Sequence, residues 1–134
     1  MLQSVSVNLG AALTLLLAVF HTRFHRMFGW AEGFSGISAA NRRIVYTVHV
    51  ALYLLLFMLG GLSLVYAREL AAAEGLALGF DLLCAVFWAW RFVWQLACFK
   101  PPAGRKRPPL VVAMTASFLL LTVCYALPVL CRLL

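Results

Sequence analysis

Four long apolar runs decide what this chain can become, at about 5–24, 44–67, 76–99 and 110–130. A helix rises about 1.5 Å per residue, so about 20 residues cross a hydrocarbon core of about 30 Å. Lipid offers no hydrogen bonds, and a helix is the structure that satisfies its backbone within one segment. The runs leave no room for a second domain in 134 residues. The expected fold is therefore an all-α integral membrane protein, a four-transmembrane-helix antiparallel bundle forming one membrane domain over 1–134. Composition agrees, with 65% hydrophobic and 11% charged residues against about 45–50% apolar and about 25% charged in a soluble domain. A chain this small cannot hide so much apolar surface inside itself.

The first run is read as a retained helix, not a secretory leader. Its start, MLQSVSVN, has no basic residue, no small-x-small cleavage site follows, and the basic stretch HTRFHR comes after the apolar segment. Orientation follows from the short loops, because Lys and Arg are enriched on the cytoplasmic side. Arg23, Arg26, Arg42 and Arg43 fall in the first loop and Lys100, Arg105, Lys106 and Arg107 in the third, whereas the middle loop has Arg68 and the C-terminus Arg132. Both termini are expected on the outer (periplasmic or extracellular) side of a bacterial-type inner (plasma) membrane.

The net charge of +7 reads as attraction to anionic lipid. The basic residues lie in loops between apolar runs, which does not suit a nucleic-acid-binding face, so no nucleic acid is expected as a partner. Cys84, Cys98, Cys124 and Cys131 sit inside or at the ends of apolar stretches with no CxxC pair and read as packed thiols. No phosphate-binding glycine loop, nucleophile elbow or paired acidic motif is present, and no catalytic activity of its own is expected. In the first loop, an amphipathic extension ending near Trp30 would place Trp30 and Phe34 as interfacial anchors.

Polar side chains in a span gather on the face that meets other helices. Steps of three and four define such faces as Asp81, Cys84, Trp88, Arg91, Gln95 and Cys98 on the third span, and Arg42, Tyr46, His49, Tyr53, Leu56, Gly60 and Ser63 on the second. The first span gives Thr14, Ala18, His21 and His25, and the fourth Thr115, Phe118, Thr122 and Tyr125. Gly60 with Gly61 is the one candidate hinge. Threading puts His49 and Arg91 at one depth, about 7–12 Å inside the cytoplasmic boundary.

Arg91 carries the functional reading, since a guanidinium has five donors and no acceptor and is costly in a span. Asp81 is about 15 Å away along the same helix, which leaves Arg91 either snorkelling to the interface or holding an anionic or carbonyl-bearing ligand. A lipid head group or a quinone would meet Tyr46, His49, Trp88, Arg91 and Gln95. A second reading takes His21 and His25, four apart on one face, with His49 as ligands of a divalent metal, or two of the three as ligands of a haem. A third is a small homo-oligomeric transporter in which Asp81 and Arg91 of different chains pair. The first reading expects membrane lipid as partner, together with other membrane protein subunits or further copies of the chain.

Overall fold

The computed structural model describes residues 1–101 and 103–134; Pro102, in the third loop, lies outside the described residues. These are all helical where they are regular: α1 (Leu2–His21), α2 (Phe24–Met27), α3 (Trp30–Gly33), α4 (Ala39–Val65), α5 (Ala67–Ala72), α6 (Leu76–Cys98) and α7 (Pro109–Leu133). The helices α1, α4, α6 and α7 are long and apolar enough to cross a membrane. Those four are the expected spans.

The boundaries moved where local chemistry overrides hydropathy. α4 starts five residues before the apolar run because Ser38 caps it, its hydroxyl accepting the Asn41 amide at 3.3 Å. Arg42 and Arg43 are consequently helical and not in the loop. The segment after α1 is no continuous amphipathic extension. Gly29 takes a left-handed conformation (φ 56°) between α2 and α3, which turns the chain back on itself. The middle loop also contains a helix of its own, α5, whose Ala67 and Leu70 bury against Val7 of α1.

In the packing, α1 lies against α4, α5 and α7, and α6 lies against α7 and α5. Consecutive spans α4 and α6 are thus not each other's main partners, because α5 stands between them in the chain and packs under α1. The shared core draws Leu17, Leu56, Trp88, Phe118, Leu121 and Tyr125 from all four long helices. Two glycines permit the closest approaches. A Cβ on Gly60 would meet Leu15 Cγ at 2.8 Å and the Leu15 amide nitrogen at 3.1 Å, and one on Gly10 would meet Cys124 Cβ at 3.1 Å. Small residues at such crossings let helices gain van der Waals contact where lipid provides no hydrophobic drive. α4 runs unbroken through Gly60 and Gly61, so this pair is a packing feature and not a hinge.

Pro128 lies inside α7 and is buried. It has no N–H, so the carbonyl four residues earlier, that of Cys124, loses its intrahelical donor. Ser6 of α1 supplies the replacement, its hydroxyl donating to the Cys124 carbonyl at 2.7 Å. All four cysteines are free; Cys84 and Cys124 are packed, but Cys98 and Cys131 are exposed, which corrects the expectation for those two at helix ends.

Candidate functional site

The three polar stripes are inward over most of their length. Asp81, Cys84, Trp88 and Gln95 are buried with Arg91 half-buried; Leu56, Gly60 and Ser63 are buried with Tyr46, His49 and Tyr53 half-buried; Thr14, Ala18 and His21 are buried. The stripes fade at the loops carrying the basic clusters, where Cys98 and His25 are exposed.

At that end, α1 stops at His21; the Thr22 and Arg23 amides still reach the Ala18, Val19 and Phe20 carbonyls, but none reaches that of His21. The imidazole of His49 meets this need, its Nε2 lying 2.8 Å from the His21 carbonyl oxygen. His21 Nδ1 lies 2.7 Å from the Leu17 carbonyl oxygen. Carbonyl oxygens only accept, so both of these ring nitrogens carry the proton and donate. In a ring with a single N–H, the remaining acceptors are His21 Nε2 and His49 Nδ1.

Aromatic rings enclose the pair. Phe24 stacks on His21 at 4.3 Å and on His49 at 5.4 Å, Trp30 meets His49 edge-on at 4.7 Å, and Tyr53 lies 5.9 Å from it. Trp30 also packs on Tyr46 at 5.7 Å, and Phe34 on Tyr46 at 6.3 Å. The fold-back at Gly29 therefore brings Trp30 and Phe34 onto α4. Trp30 is thus a wall of the histidine cluster, and Phe34 packs behind it on Tyr46.

Arg91 lies on the α6–α7 side. Its Nη1 donates to Gln95 Oε1 at 2.9 Å, and its guanidinium carbon sits 4.4 Å from the centroid of the Phe118 ring and 5.7 Å from that of Phe99. Such cation–π contacts favour the charged group without supplying a counter-charge. Trp88 stacks on the same Phe118 ring at 5.9 Å. The one ion pair among the described residues joins Arg132 to Glu74 on the surface at 3.2 Å, so Arg91 has no acid within reach.

The sequence-predicted residues thus form two groups. Tyr46 and His49 belong to the aromatic cluster, where His21 stacks on His49 at 5.8 Å, and Trp88, Arg91 and Gln95 lie on the Phe118 side. The two groups sit on α4 and α6, helices that are not each other's main partners. Among the described residues no three His, Cys, Asp or Glu side chains converge as a metal would require. His25 is exposed, and His21 and His49 each commit a ring nitrogen to a carbonyl. Asp81 is enclosed by its own chain at 0% exposure, which denies it to an Arg91 from another copy. Phe24 lies outside the polar stripes, three residues after His21; Phe118 belongs to the fourth stripe but is not among the sequence-predicted site residues.

Comparison of the chain with protein-family models, curated proteins and solved structures finds no match.

Proposed function

We propose that the protein is a membrane-embedded binding subunit for an anionic or carbonyl-bearing amphiphile, a lipid head group or a quinone. Arg91 and Gln95 hold the polar group, and the histidine–aromatic cluster flanks it. The observation that carries this reading is the state of Arg91. It is half-buried among aromatic rings, and one of its five donors is used by Gln95. Phosphate or carbonyl oxygen complements the remaining donors through charge-assisted bonds. The neutral faces of His21 and His49 add two acceptor nitrogens for a hydroxyl of the same ligand.

In this reading the four spans alternate in direction. The pairing of Leu15 with Gly60 and of His21 with His49 supports that for α1 and α4, since one number rises as the other falls. The basic loops place this end in the cytoplasmic half of a bacterial-type inner membrane with both termini outside. A groove of ≈ 570 Å³ beside Arg42, Arg43 and Tyr46 gives a second contact surface for anionic head groups at the same end. Four spans with short connections offer little besides this layer, which favours work within a larger membrane assembly.

One purified sample tests the reading by ultraviolet and visible spectroscopy, metal analysis and organic extraction. A lipid or quinone should be extracted in near-stoichiometric amount with no haem band and no stoichiometric metal. A haem band, or a bound transition metal, would replace this reading with that of a redox subunit.

A further inference from the structure

The proposed function leaves one acid unused. Asp81 is 0% exposed, and neither of its carboxyl oxygens has a hydrogen-bond partner. Each of the four long helices contributes one polar side chain that is completely enclosed, Thr14 from α1, Ser63 from α4, Asp81 from α6 and Tyr125 from α7, all at 0% exposure. Ser63 Oγ and the Tyr125 hydroxyl share a hydrogen bond of 2.8 Å, and Thr14 gives its proton to the Gly10 carbonyl at 2.8 Å. Cys84, one helical turn beyond Asp81 on α6, shares the core cluster with Tyr125.

We propose that this centre binds a small monovalent cation at Asp81, either a proton or an alkali ion such as sodium. A buried carboxylate needs a counter-charge, and a buried polar atom needs a partner. One positive charge neutralises the acid, and hydroxyl oxygens are the hard, uncharged ligands that accompany carboxylates around such ions. A divalent ion would leave an excess positive charge in the interior. Helical bundles commonly build ion sites this way, from side chains on facing helices.

An approach route adjoins the site. A cleft of ≈ 400 Å³ between α4, α5 and α6 is lined by Leu62, Tyr66, Glu69, Leu70, Ala77 and Phe80, with Leu76 at its edge. Ala77 precedes Asp81 by one helical turn, and Glu69 is the charged residue of the lining. An acid thus lines a cleft that reaches the helical turn before Asp81. Cys84 is the titratable neighbour on α6 itself. Among the elements packed on α6, α7 presents Tyr125 and the paired, surface Arg132, and α5 presents exposed Arg68 and Glu69. None of these cations is in position to neutralise Asp81.

The test is labelling of the full chain, in detergent and in vesicles, with a membrane-soluble carbodiimide, read by peptide mass spectrometry. The reagent takes the proton of a protonated carboxyl on its nitrogen while the carboxylate oxygen adds to its central carbon. Labelling should occur at Asp81 and vanish in Asp81→Asn. Its rate should fall about tenfold per pH unit once the acid ionises. Protection by sodium chloride, relative to choline chloride at equal ionic strength, would identify a metal-ion site; pH dependence without sodium protection would identify a proton site. A rate indifferent to both pH and sodium, or no labelling of the folded chain when the denatured chain reacts, would overturn the proposal.

Discussion

His49 combines a structural role with the binding role proposed for it. Its Nε2–H closes the open carbonyl at the end of α1, and its other nitrogen is left facing the aromatic enclosure. Replacing His49 with Ala should lower stability by about 0.6–2 kcal/mol through the orphaned carbonyl. His49→Gln, which keeps a donor, should recover part of it in the same thermal unfolding assay. Amide exchange near Leu17 to His21 should rise in His49→Ala, and unchanged exchange there would remove the capping role. At this scale the sequence made Arg91, Gln95 and Trp88 legible, because polar and aromatic residues at steps of three and four stand out within an apolar span. Phe118 was not legible as the ring beneath Arg91. A phenylalanine that faces protein and one that faces lipid look alike when both surroundings are apolar.

At the scale of elements, the Ser6 contact with α7 is specified by a proline within α7 itself, one turn beyond the carbonyl that Ser6 meets. Pro128 opens the Cys124 carbonyl, and Ser6 closes it from another helix. Ser6→Ala should cost about 1–3 kcal/mol by leaving that buried acceptor bare. In Pro128→Ala the helix regains its own donor, so the further loss on adding Ser6→Ala should shrink; additive losses in this double-mutant cycle would refute the link. Gly60→Ala drives a methyl group into Leu15 and should destabilise by about 1–3 kcal/mol, whereas Gly61→Ala, which meets nothing within 4 Å, should be nearly neutral in the same unfolding assay. Span number and span cores were readable from hydropathy alone. The early start of α4, the break at Gly29 and the short α5 were not, since they depend on a cap, a left-handed glycine and a tertiary contact with α1.

For the whole molecule, hydropathy set the number of spans but not which ones touch. The hairpin rule would pair α4 with α6, yet α1 and α7 occupy the middle of the packing, because Gly10 and Gly60 allow α1 to approach both α7 and α4 closely. His49 and Arg91 therefore lie on helices that are not each other's main partners. Topology is checked with single cysteines at Ser35, Ala72 or Gly104 in a chain lacking its own cysteines. In intact cells an impermeant thiol reagent should label the Ala72 position and spare the other two, and the reverse pattern would move the histidine layer to the outer leaflet. The central claim, that Arg91 holds an amphiphile, is tested most directly by native mass spectrometry of the chain released from mild detergent. A bound lipid or quinone should accompany the wild-type chain and the Arg132→Gln variant at similar occupancy, and its occupancy should fall about tenfold in Arg91→Gln, matching loss of one charge-assisted contact of about 1.5 kcal/mol. Equal occupancy in Arg91→Gln and the wild type, or no bound amphiphile in either, would contradict it.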